Sequence, residues 1–190
     1  NETFKRFFNN SKRIGETENR ISSAKFINFN YTFSLECSFN YIGLKDIFSQ
    51  NDVLYIHGFT HHKEDIIFGY GDDTHSIYKD LELTGDDEYL KHLKSFHYPL
   101  NQEYIQLMDY IEHDQFEVII AGHSLGISDR VLLKSIFEHD NCKCIRFLHR
   151  GRDDEKQHMK SRYMALSRHF DNKMIMRNKI VPFDFADELH

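Results

Sequence analysis

The stretch Phe116-Glu-Val-Ile-Ile-Ala-Gly-His-Ser-Leu-Gly-Ile-Ser-Asp129 constrains the fold of this chain more than any other. Val118, Ile119, Ile120 and Ala121 form a short, nearly all-apolar run, as expected for a strand buried on both faces. Gly122-His-Ser-Leu-Gly126 follows as a turn, where two glycines permit unusual backbone angles or close approach. Ser128 and Asp129 are helix-start residues, and Val131, Leu132, Ile136 and Phe137 give an apolar stripe at helical spacing. Such a unit binds nucleotides or presents a nucleophile at the carboxyl end of a sheet.

The rest of the chain supplies partners for that unit. Lys25–Phe29 reads as a strand with Asn30, Tyr31 and Thr32 at its carboxyl end, and Thr32 or Ser34 starts a helix through Leu35. An Asn at such an edge can donate to and accept from a ribose hydroxyl or an ordered water; taken alone, it is explained by tying down the turn. Val53–Ile56 is a further strand ending in His57-Gly58. A histidine there suits a general base near neutral pH, although a backbone carbonyl would satisfy it as well. Asp65–Asp73 reads as a short strand entering a glycine-acid loop, where Gly69 and Gly71 let backbone approach a ligand. His61 and His62 are adjacent rather than at helical i, i+4 spacing, so no metal site is expected.

Residues 74–115 read as a helical insertion or crossover packed through Ile77, Leu81, Leu83, Tyr89, Leu90 and Leu93. Its second helix is capped by Asn101 and carries the periodic set Tyr104, Leu107, Met108 and Ile111. Cys142–Leu148 is a strand, Glu155–Phe170 a helix, and Lys173–Arg177 a last strand, followed by Ile180-Val-Pro182. Residues 1–24 suggest a helix end and then a loop. Strands alternating with helices predict an α/β fold, a mostly parallel sheet flanked by helices, Rossmann-like, in a single domain over residues 1–190.

The bulk properties narrow the function. A formal charge of −6 argues against a nucleic-acid partner. No apolar run is long enough to cross a bilayer, so no membrane partner is expected. Three cysteines without a C-x-x-C pair suit a reducing compartment, the cytoplasm. The chain begins with Asn1 and lacks an opening nucleotide-binding strand, which suggests a C-terminal portion of a longer protein.

Three readings share these residues. In the first, Gly122-His-Ser-Leu-Gly126 is the G-x-S-x-G elbow of a serine hydrolase or esterase with Ser124 as nucleophile and His57-Gly58 in the oxyanion loop. That reading needs an acid and then a His on later strands, and His139, His149, His158, His169 and His190 offer no clear strand-loop context. Asp129, at a helix start, is there explained by the helix dipole.

In the second, the chain resembles the AbiH family of bacteriophage abortive infection. The resemblance rests on Phe29-Asn-Tyr-Thr-Phe-Ser-Leu-Glu36, Tyr55-Ile-His-Gly58, Ile66-Ile-Phe-Gly-Tyr-Gly-Asp72, Gly122-His-Ser-Leu-Gly-Ile-Ser-Asp129 and Ile180-Val-Pro182. AbiH-like proteins open with a strand and a Gly-Asn-Gly-Phe-Asp-like turn, which this chain lacks. The family in turn is similar to SIR2-like NAD-binding domains. That resemblance implies a SIR2-like nucleotide pocket that binds or hydrolyses NAD, with His57 and Asn30 as catalytic residues. It implies that Thr32, Gly58, Gly69, Gly71, Gly122, His123, Ser124 and Asp129 line the cofactor. The zinc cysteines of SIR2 deacetylases are missing, so NAD cleavage fits better than deacetylation. The partner implied is a nucleotide small molecule, with an oligomer compatible. The third reading is a non-catalytic sensor of nucleotide or phage.

Overall fold

A computed structural model describes residues 23–32, 35, 37, 52–60, 66–70, 76–148 and 155–182. The expected helix and loop of residues 1–22, the histidines His61 and His62, and Gly71 lie outside the described residues. The first two strands are β1 (Phe26–Asn28) and β2 (Val53–Tyr55), which pair in parallel with Asn28 opposite Tyr55. Next come helices α1 (Ser76–Leu83), α2 (Lys94–His97) and α3 (Gln102–His113). Strand β3 (Phe116–Ile120) leads through the glycine turn to α4 (Arg130–Phe137) and β4 (Cys142–Phe147). Helices α5 (Glu155–Ser167) and α6 (Lys173–Lys179) follow. β3 and β4 also pair in parallel, with Ile120 opposite Phe147. The architecture is therefore mixed α/β with parallel strands, paired two by two among the described residues.

The periodic segments form the core. α3 begins where Asn101 caps it, its side chain accepting from the backbone of Glu103 (2.7 Å) and Tyr104 (3.2 Å). It buries Leu107 and Ile111, while α4 buries Leu132, Leu133, Ile136 and Phe137 on the same core as Ile145 and Phe147. Met159 and Leu166 of α5 close that core, with Phe170 beyond the helix end. Glu117 and Arg146 join β3 to β4 through a largely buried ion pair at 2.8 Å. No helix among the described residues is long and apolar enough to cross a membrane.

The structure corrects four expectations. Lys173–Arg177 is helix α6 rather than a last strand, because Asn172 caps it by accepting from the Met174 amide at 2.9 Å. After α6, Ile180 bridges Ile145 and the Val181 amide donates to the Ile145 carbonyl. Residues 66–68 form no strand, and only Tyr70 bridges, to Leu93. In the insertion, Leu93, Leu107 and Ile111 pack as expected, but Ile77, Leu83 and Tyr89 are exposed. Ser128 and Asp129 belong to a 3-10 turn, Ile127–Asp129, that precedes α4.

Candidate functional site

β1 and β2 run in parallel side by side, so Asn30 and His57, just past their carboxyl ends, share one edge. The β1 end is wound around Asn28, which is buried. Its side-chain oxygen accepts from the Asn30 amide (2.9 Å) and the Asn30 side chain (3.2 Å), and its Nδ2 donates to the Thr32 carbonyl (3.4 Å). Asn30 and Thr32 are exposed. The winding aims Phe29 inward, edge-on to His57 (centroids 5.3 Å apart) and against His123 (4.1 Å). One aromatic ring thus joins the carboxyl end of the first strand pair to the turn that follows β3.

His57 lies in the turn closed by the Gly58 amide on the Tyr55 carbonyl (2.8 Å), and its own carbonyl accepts from the Ile67 amide (2.9 Å). The imidazole Nε2 is 3.0 Å from Asp129 Oδ1. Lys94 Nζ is 2.8 Å from the same oxygen and 3.3 Å from Nε2. His57, Lys94 and Asp129 are only 4%, 5% and 7% exposed. Ser128 Oγ donates to Asp129 Oδ2 at 3.4 Å, and His123 Nε2 lies 3.8 Å from that oxygen. Burial by itself raises the pKa of Asp129. The hydrogen bonds from His57 and Lys94 and their charges outweigh burial and hold the carboxyl well below its usual range. Asp129 makes no side-chain cap on α4, so these partners, rather than the helix dipole alone, account for its charge.

Lys94 is placed by a backbone crossing. Its amide donates to the Tyr70 carbonyl (2.9 Å) beside the Tyr70–Leu93 bridge. Gly69 makes the crossing possible: its φ is +133°, and an added Cβ would lie 1.9 Å from the His92 carbonyl oxygen. Gly69 is therefore explained by close backbone approach within the chain.

The turn after β3 is held under strain. Gly122 has φ +70° with open space where a Cβ would stand. Leu125 has φ +56°, a conformation costly for a branched side chain. Its side chain is 2% exposed, and histidines grip both its backbone groups. The Leu125 amide donates to His123 Nδ1 (3.1 Å), and the Leu125 carbonyl accepts from His169 Nε2 (3.0 Å). These bonds assign tautomers: His123 and His169 both carry their proton on Nε2 when neutral. Burial pushes both histidines below the ordinary value, against opposing pulls from Asp129 on His123 and from the Leu125 bond on His169. His169 Nδ1 is buried and has no hydrogen-bond partner among the described residues.

The geometry gathers His57, His123 and Asp129 and adds Lys94, Asn28 and Phe29, which the sequence reading passed over. Lys94 sits in a charged helical stretch where nothing distinguishes it from a solvated lysine. Asn28, two residues before Asn30, carried a turn signal that was readable. Ser124 is exposed and, among the described residues, hydrogen-bonds neither His57 nor His123. Burial pushes the Cys142 thiol up to about 11 and the Cys144 thiol up to about 12, so neither is an activated nucleophile.

In chemical terms the site is a carboxylate–histidine pair whose acid is kept ionised by a lysine. His57 Nε2 can donate to Asp129 or accept from Lys94 but not both, so the ring proton has two placements within one hydrogen-bonded cluster. The class is a mixed α/β protein with a buried histidine–aspartate–lysine cluster past the carboxyl ends of parallel strands. A model of the family described as bacteriophage abortive infection AbiH matches residues 1–149, and the chain belongs to that family. The match spans His57, Lys94, His123 and Asp129, while His169 lies beyond it. No curated protein and no solved structure matches the chain.

Proposed function

We propose that this chain acts in abortive infection by binding NAD in a SIR2-like manner and hydrolysing its nicotinamide–ribose bond, with His57 as general base. The observation that carries the reading is the buried His57–Asp129 pair, 3.0 Å apart, at the edge shared by β1, β2 and the turn after β3. Ligands of open α/β sheets bind at such edges. With Nε2–H donated to Asp129, Nδ1 holds the lone pair and takes a proton from water or a ribose hydroxyl. Asp129 then stabilises the imidazolium. The water oxygen bonds to C1′, the C1′–N bond breaks, and nicotinamide leaves neutral with the bonding pair.

Ribose fits this site better than phosphate. Asp129, the residue before α4, holds an ionised carboxylate next to the start of that helix, and its negative charge opposes a phosphate there. Gly122 leaves open space for a hydroxyl-bearing ring to approach backbone. His57 lies under Phe29 and Tyr31, so the turn at residues 29–32 must shift to admit substrate. The reading implies a cytoplasmic protein, because the substrate is a cytoplasmic nucleotide.

The test is nicotinamide release from NAD, measured by chromatography with and without infecting phage. His57→Asn should lower release by about 10²-fold or more while the fold is retained by circular dichroism. No release by the wild type under either condition would refute hydrolysis. Saturable NAD binding without release would instead support the sensor reading.

A further inference from the structure

We propose that Phe68, backed by Tyr31, is the stacking platform for the planar base of the nucleotide handled at His57; this rests on the reading above. The Phe68 ring is 67% exposed although it stands beside a buried polar cluster. It leans on Tyr31, with centroids 5.3 Å apart and planes 38° from parallel. Tyr31 in turn lies 6.2 Å from the His57 ring at 33°. A ladder of rings thus runs from solvent at Phe68 through Tyr31 to His57, and Phe29 continues it to His123.

The ladder is fixed by hydrogen bonds between three chain segments. Tyr31 Oη donates to the Ile67 carbonyl (3.4 Å), the Thr60 amide to the Tyr31 carbonyl (3.1 Å), and the Ile67 amide to the His57 carbonyl (2.9 Å). Phe68 is therefore tied to the backbone of His57 through its neighbour, at a set separation from the acid–base pair. Its open face offers a flat π surface with no hydrogen-bonding group of its own. Such a face takes any nucleobase or a nicotinamide ring and rejects a bare sugar phosphate. A nicotinamide held there leaves its ribose pointing toward His57, the order the hydrolysis needs, and the adenine of AMP takes the same face by the same stacking.

The chain contains no tryptophan, so Phe68→Trp installs the sole indole fluorophore at the platform. NAD and AMP should quench it saturably, and ribose 5-phosphate should not. By calorimetry, Phe68→Ala should weaken NAD binding by about 5- to 150-fold, the range for losing one base–aromatic stack, while Phe68→Tyr keeps it near wild type. Equal NAD affinity of wild type and Phe68→Ala would overturn the platform and leave the NAD reading standing. Quenching by ribose 5-phosphate as strong as by NAD would also overturn it. Failure of the wild type to bind NAD, AMP or nicotinamide mononucleotide would overturn both.

Discussion

Replacing Lys94 with methionine removes the cation that holds Asp129 and keeps most of the buried stem. The two charges are 2.8 Å apart, with side chains 7% and 10% exposed. At that distance and an effective dielectric of about 20, their attraction is about 6 kcal/mol, which desolvation of both groups largely offsets. Removing one partner is different, because the carboxylate stays buried. Among the described residues, Asp129 then keeps His57 Nε2 at 3.0 Å, Ser128 Oγ at 3.4 Å and His123 Nε2 at 3.8 Å. Breaking a buried pair from one side costs about 3–5 kcal/mol, or about 6–20 °C in Tm for a chain of this size. Urea unfolding at pH 7, followed by far-UV circular dichroism, measures the loss for Lys94→Met, Asp129→Asn and the double variant. The double variant should cost at least about 1 kcal/mol less than the two singles together, since no unpaired charge remains. A Lys94→Met cost under about 1 kcal/mol, the size for an exposed pair, would refute the buried-pair argument, as would strict additivity.

The remaining predictions use the same unfolding assay or a chemical probe. Gly69→Ala forces a Cβ onto the His92 carbonyl and should cost about 2 kcal/mol or more, whereas Gly122→Ala meets open space and should cost only about 1–2 kcal/mol of left-handed strain. Equal, negligible costs at both positions would contradict the crossing that places Lys94. Acid should destabilise the fold. The folded pKa values of His123 and His169 lie below 6.5, so the unfolded chain takes up more protons and stability falls as pH drops below about 6.5. Asp129 acts in the same direction at lower pH: its contribution is present above 3.8 and lost as pH falls further. His169→Gln should flatten the slope between about pH 7 and 5, and an unchanged slope would show that His169 is not buried neutral. Finally, a fluorophosphonate should leave the protein unlabelled; labelling that vanishes in Ser124→Ala would restore the esterase reading.

How much was legible follows from where each signal resides. β3, the glycine turn and α4 are legible because an apolar run, a glycine-bounded turn and an apolar helical stripe each have their own local pattern, although β3 is fully buried only at Ile120 rather than on both faces and Ala121 is exposed. Asn101 announced α3 for the same reason. Asn172 is an equally local cap, yet Lys173–Arg177 reads as a strand in the sequence and folds as helix α6. The AbiH resemblance was readable because its motifs lie in order along the chain, and it placed His57 and Asp129 on the list of site residues. Their pairing was not readable. His57 Nε2 meets Asp129 Oδ1 across 72 residues of sequence although β2 and β3 belong to different strand pairs among the described residues, with Phe29 packed against both His57 and His123. Lys94 joins them through the crossing at Gly69, which no periodicity encodes. Local pattern in the chain thus determines α3, α4 and the glycine turn, and the order of its motifs determines the family. Tertiary packing alone makes a histidine, an aspartate and a lysine into one charged cluster, because only burial makes their mutual distances matter.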